Sequence, residues 1–203
     1  MITPTAAFGG VRERRYVEED VFVQEALAAA EEILAPPLLI RRHAPLLYQV
    51  TVNNRLEVTV DPRELSRGQS AFQTDLCVFE DVEEGVRIPR VVMEFKSRVT
   101  THDVITYSAK ARKHKQVYPY LRYGVVVANE ATVPGRFFTH NEALDFCVAA
   151  ASYKVNRVHE IFAALLRDEV AASRRLEQIA FGKMPVHVFR SEIVLESGTV
   201  KVA

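Results

Sequence analysis

The chain has 203 residues, 26 basic and 26 acidic side chains, and a formal net charge of zero. Apolar residues make up 48%, enough to bury a sizeable core in one domain. No run reaches the roughly 18 apolar residues of a membrane span, and the first residues lack a basic segment followed by an apolar stretch. Neither a membrane protein nor a secretory leader is expected, and a cytoplasmic location is.

Residues 4–10 read as a loop. Glu18–Leu34 reads as a helix, with Val23, Leu27, Ala30 and Leu34 at three- and four-residue steps, stopping before Pro36-Pro37. Arg41-Arg42-His43-Ala44-Pro45 reads as a loop. Residues 46–60 predict a long strand or a hairpin turning at Asn53-Asn54. Ala71–Phe79 and Ile88–Lys96 are apolar runs of the kind buried in a sheet.

A helix is expected over Tyr107–Val117, capped by Thr101 or Asp103 and ended by Pro119. Leu121–Ala128 is another buried strand. Asn141–Ala151 reads as a short apolar helix and Tyr153–Ile179 as a long one. The long helix is expected to cover the sheet or to pair with its copy in a dimer. Glu192–Val202 suggests a final strand. Cys77 and Cys147 fall in apolar runs without partners at metal spacing, as reduced core cysteines would.

Three polar residues sit where folding alone would not choose them. Glu94 and Lys96, two apart on a strand, share a face because side chains alternate. A neighbouring strand brings Asp75 to Glu94. Two adjacent carboxylates repel unless a cation joins them. Hard oxygen ligands suit Mg²⁺, which keeps waters and a substrate phosphate in its shell. The lysine is placed to orient or deprotonate a water.

Val104–Asn129 holds no Asp or Glu but contains Lys110, Arg112, Lys113, Lys115 and Arg122. With Arg98, the lysines and arginine of this helix are candidate contacts to a phosphate backbone.

This pattern, Asp75, then Glu94-Phe95-Lys96, then a basic helix and a strand, resembles the PD-(D/E)XK nuclease superfamily, the restriction-endonuclease-like fold. Thr74 stands where that family often has proline. The resemblance covers about residues 48–128. It implies an α/β fold, a central mixed β-sheet flanked by helices in the order α-β-β-β-α-β. One nuclease domain over 1–203 is expected, its core about 18–128 and an extension over 129–203.

The resemblance further implies a metal-dependent deoxyribonuclease using Mg²⁺, with Mn²⁺ able to substitute. Its metal ligands are Asp75, Glu94 and an acid of the first helix, Glu25 or Glu32. Catalytic residues are Asp75, Glu94, Lys96 and Gln116, the last from a Q-x-x-x-Y string like that of the RecB-type branch. Tyr120 is expected to pack. The expected partners are double-stranded DNA and a second copy of the chain. The favoured role is a type II restriction-like endonuclease; a repair or RecB-like nuclease and a non-cleaving nucleic-acid-binding module are the alternatives. Phosphate-loop, dinucleotide-binding and nucleophile-elbow motifs are absent from the sequence.

Overall fold

Helix α1 (Glu19–Ile33) opens the fold, burying Phe22, Val23, Ala26, Ala29 and Ala30 along one face. Glu19 and Asp20 in its first turn complement the positive end of the helix dipole. It ends at Leu34, whose N–H bonds Ala30, ahead of Pro36-Pro37. The computed structural model describes residues 18–65, 70–152, 155–188, 190 and 194–195. The strand expected over Glu192–Val202 lies largely outside them.

The fold is α/β. A five-stranded mixed sheet of order β1-β4-β5-β6-β7 is flanked by helices on both faces. Strands β1 (Leu38–Arg42), β4 (Leu76–Glu83) and β5 (Val86–Lys96) pair antiparallel. Strands β6 (Arg122–Val127) and β7 (Phe146–Ala149) continue the sheet parallel to β5. The parallel step from β5 to β6 requires a crossover, and helix α2 (Thr101–Val117) supplies it. A separate small sheet pairs β2 (Pro45–Leu47) with β3 (Ala71–Gln73).

Alternation along β5 divides the core. Val91, Met93 and Phe95 pack with Phe22, Val23 and Ala26 of α1 and with Phe162, Leu166 and Val170 of α4 (Val155–Ala180). Val92 packs on the other face with Val104, Tyr107 and Ala111 of α2 and Phe137 of α3 (Gly135–His140). Phe162, Leu166 and Val170 of α4 are thus spent inside the chain. Among the described residues, no helix is long and apolar enough to cross a membrane.

Three expectations need correction. Arg41 and Arg42 belong to strand β1, not to a loop; they look loop-like because β1 is an edge strand with only Ile40 buried. The first core strand is therefore β1, while within residues 46–60 the hairpin alternative holds in short form: Val52 bridges Val58 antiparallel around a turn that starts at Asn53. Asn141–Ala151 is not a helix. Helix α3 has ended, Asn141 Oδ1 accepts from the backbone N–H groups of Ala143 and Leu144, and β7 follows. A four-residue apolar strand is too short to show a period. Finally, the N-cap of α2 is Thr100, which forms a capping box with Asp103.

Gly124 on β6 faces the ring of Phe146 on β7. A Cβ there would lie 2.2 Å from Phe146 Cδ2. Gly124→Ala is expected to cost about 1–3 kcal/mol through overpacking. Urea unfolding with the mutant melting like the wild type would refute this close approach.

Candidate active site

Asp75 lies at the joint where the chain leaves the small sheet for the large one, between β3 and β4 rather than within a strand. The joint is fixed by the backbone. His43 N–H donates to Asp75 O at 3.1 Å, and the Thr74 N–H and hydroxyl both donate to Ala44 O at 3.0 Å. The register Leu76↔Met93, carried one step further, sets Asp75 opposite Glu94. Asp75 Oδ2 accepts a hydrogen bond from Phe95 N at 2.8 Å, which holds the carboxylate against β5.

Glu94 is 2% exposed. Its Oε1 accepts a short hydrogen bond from the Tyr123 hydroxyl, and Lys110 Nζ stands 3.6 Å from the same oxygen. Burial pushes the Glu94 carboxyl up to about 7, the Asp75 carboxyl beside it adding to the rise and Lys110 and Tyr123 opposing it. The two carboxyls stand opposite each other in the β4–β5 register. Such a pair is short of positive charge.

Lys96 emerges at the end of β5. Its ammonium bonds Glu19 Oε1 at 2.8 Å and lies 5.9 Å from the centre of the Tyr107 ring. Burial alone would lower its pKa, but the Glu19 carboxylate and Tyr107 outweigh burial and hold the ammonium above its ordinary range. Lys96 therefore keeps its proton. Held by a carboxylate in this way, the ammonium suits the orienting role expected of it. Tyr107 is the common neighbour: Lys110 also approaches its ring, at 5.1 Å. Burial and Glu94 raise the Tyr107 hydroxyl to about 12 against the opposing pull of Lys96, so it stays protonated.

Asp75 and Glu94 therefore lie opposite each other, while Lys96 sits with Glu19 and Tyr107 at the end of β5 and Lys110 is the lysine that stands at Glu94. Glu25 and Glu32 lie exposed on α1, and the acid that α1 brings to Lys96 is Glu19. Gln116 is exposed near the end of α2, away from these contacts, and Tyr120 is buried as a packing residue against Tyr118 and Phe181. Arg98 is exposed.

The segregation of positive charge on α2 is largely local to the sequence, because distant acids answer it. Lys110 faces Glu94, and Arg112 pairs with Glu142 at 3.0 Å. Lys115 bonds Asp145 at 2.7 Å and Ala143 O at 2.6 Å, while Arg122 bonds Asp145 and Glu169. Lys113 differs: it is exposed and rests over the rings of Tyr48 and Phe72.

Sequence reasoning missed Glu19, Tyr107, Tyr123 and His114. Tyr123 carried a faint signal, a hydroxyl in an otherwise apolar strand. His114 is fully buried, with Nδ1 on Leu47 O at 2.8 Å and its ring stacked on Tyr123. Burial lowers its pKa to about 4, the bond to Leu47 opposing this and Lys110 reinforcing it.

His114 and Glu94 act on stability with opposite signs. Between pH about 4 and 6.5 the unfolded chain protonates His114 and the folded one does not, so this group loses stability as pH falls. Between about 4.5 and 7 the folded chain protonates Glu94 and the unfolded one does not, so this group gains stability as pH falls. The two largely cancel in the overlap. Glu94→Gln is expected to uncover the His114 slope, up to about 1.4 kcal/mol per pH unit near pH 5.5. Parallel pH–stability curves for wild type and mutant in urea titrations would contradict the opposed pair.

The chain matches no protein-family model and no curated protein. Among the described residues no group of three or more His, Cys, Asp or Glu side chains gathers as a metal cage. The donor set is the Asp75–Glu94 pair. It suits an ion such as Mg²⁺, which takes one or two carboxylates and completes its shell with water and phosphate.

Proposed function

We propose that the protein is a Mg²⁺-dependent endonuclease that hydrolyses phosphodiester bonds in double-stranded DNA, in the manner of a type II restriction enzyme acting as a homodimer. The observation that carries this reading is the Asp75–Glu94 pair: two carboxyls set opposite each other where the chain enters β4 beside β5, one of them buried, with a lysine two residues on. The element order α1, β1, β4, β5, α2, β6 is that expected of the resembling superfamily, apart from the small sheet inserted between β1 and β4. The restriction role and the dimer rest on analogy, since two cuts in a duplex are simplest with two symmetric chains.

Asp75 and Glu94 would hold the ion. When bound, Mg²⁺ supplies a Lewis acid and a water acidified for attack. The protein's own residues do the rest. Tyr123 fixes the Glu94 carboxyl through its hydroxyl, and the Phe95 N–H fixes that of Asp75. Lys96, held protonated by Glu19, steadies the nucleophile or the charge growing on the phosphate. Glu94 must lose its proton to serve as a ligand.

A second reading has its own observation. Lys110 already stands at Glu94 and Glu19 already holds Lys96, so a nucleic-acid-binding module that does not cleave has its charges internally satisfied. Supercoiled plasmid separates the two. The first reading predicts nicked or linear product in Mg²⁺ or Mn²⁺ and none in EDTA. Plasmid binding without any cut across both metals would leave the second.

A further inference from the structure

Beside the carboxylates lies a cluster that the proposed reaction does not use. Tyr48, which follows β2, and Phe72 of β3 stack with ring centres 4.1 Å apart and planes 20° from parallel. Both are half-buried and so present ring surface at the protein boundary. His114 supports Phe72 from within, edge-on at 5.8 Å. Two ammonium groups flank the rings: Lys113 lies 5.2 Å from the Tyr48 centre, and Lys110 lies 6.0 Å from the Phe72 centre. Lys110 also lies 3.6 Å from Glu94 Oε1, so a single side chain spans the aromatic pair and the carboxylate.

The Tyr48–Phe72 pair sits on the small sheet, outside both cores, and Lys113 is the α2 cation resting on exposed rings rather than on an acid. Rings with ammonium groups at their rim match one chemistry well: a base stacked on an aromatic face with its backbone phosphate beside a lysine. A base in a closed duplex is already stacked on its neighbours and offers no free face.

From this we infer that Tyr48 and Phe72 form a stacking platform for an unpaired base of a DNA strand whose adjacent phosphate lies at Asp75 and Glu94. Lys113 holds the backbone of that strand. Within duplex DNA the platform would thus favour sites where one strand is splayed out beside the carboxyls, as at a fork or flap, over a fully paired stretch. The inference rests on the reading of the Asp75–Glu94 pair as a phosphodiester site.

Fluorescence anisotropy tests it, with labelled oligonucleotides in EDTA, so that binding is measured without cutting. The probes are a single strand, a forked duplex and a blunt duplex of the same sequence. The single strand and the fork should bind at least about tenfold more tightly than the blunt duplex. Tyr48→Leu should weaken binding of the first two by roughly tenfold to a hundredfold and leave the blunt duplex within about twofold. That retained duplex binding also reports a folded variant. Lys113→Gln, at an exposed position, should lower the slope of log K against log salt on the single strand by about 0.7. Equal affinity of Tyr48→Leu and wild type for the fork would overturn the platform, and so would equal losses on fork and blunt duplex. Should Tyr48→Leu fail to fold, an unchanged salt slope in Lys113→Gln does the same. Wild type that binds none of the probes removes platform and nuclease together. Tyr48-dependent fork binding without cleavage in Mg²⁺ keeps the platform and rejects the hydrolase. Plasmid cleavage with no dependence of fork binding on Tyr48 does the reverse.

Discussion

Glu94→Ala is expected to abolish phosphodiester cleavage, by roughly three orders of magnitude or more, while the chain stays folded. The activity loss follows from geometry. Glu94 is the buried half of the carboxylate pair, and Asp75 alone, tied to the Phe95 N–H, would leave an ion with one protein ligand. The fold survives because β5 is paired on both sides and Glu94 belongs to neither apolar cluster. The mutant leaves the Tyr123 hydroxyl without its acceptor and Lys110 without its nearest acid. Against that, it removes a carboxyl that burial already disfavours in its charged form. Glu94→Gln sharpens the test, because its amide oxygen accepts from Tyr123 yet carries no charge. Both variants should be inactive yet unfold cooperatively in urea. Cleavage at the wild-type rate in either would remove Glu94 from the chemistry.

Glu80→Ala should instead attack stability, costing about 2–3 kcal/mol through lost charge-assisted hydrogen bonds, with no polar contact to the carboxylate pair involved. Glu80 is the hub of an ion network between sheet and helix. Arg90 of β5, 3% exposed, bonds it at 2.7 Å, and Arg174 of α4 grips both of its oxygens. Arg90 also reaches Glu177 of α4 at 2.7 Å. Burial alone would raise the Glu80 carboxyl, but the two guanidiniums outweigh it and hold the pKa below the ordinary value. Deleting the acid leaves the buried Arg90 guanidinium still paired with Glu177 but without its Glu80 bond, and takes from Arg174 the carboxylate it grips, so charge-assisted bonds to both arginines are lost at once. The Asp81–Arg87 pair, 3.0 Å apart and exposed, is the control: Arg87→Ala should cost no more than about 1 kcal/mol. Similar urea midpoints for the two mutants would mean that the network does not anchor α4.

The elements that the sequence announces well are those with long, clean patterns. Helix α1 matches its periodic stripe to within a residue at each end, and β5 and β6 are continuous apolar runs, as strands buried on both faces must be. Glu94 and Lys96 were visible because they break such a run. Where the sequence misleads, the deciding contact lies far along the chain. Leu38–Arg42 becomes a strand only because β4 pairs with it, and Phe146–Ala149 only because β6 does. The charge on α2 looks uncompensated until Glu142, Asp145 and Glu169 fold back on Arg112, Lys115 and Arg122. Glu19 looked like an ordinary first-turn acid, and Glu25 and Glu32 looked equally eligible. Which acid reaches the centre depends on how α1 lies across β5, and helical spacing alone does not encode that.

The Lys96–Glu19 bond joins residues 77 apart in the chain. Closing so long a loop is costly in entropy, so contacts of this kind form after the local pairings have been made. The β4–β5 hairpin can therefore bring the two carboxyls together early, in a chain whose lysine still lacks its counter-charge. Only when α1 has docked does the ammonium become fixed in place. The two acids thus take their places from the β4–β5 pairing, and the fixed cation from a contact with the far N-terminal helix, so loosening α1 alone would free the ammonium while leaving the two carboxyls in register.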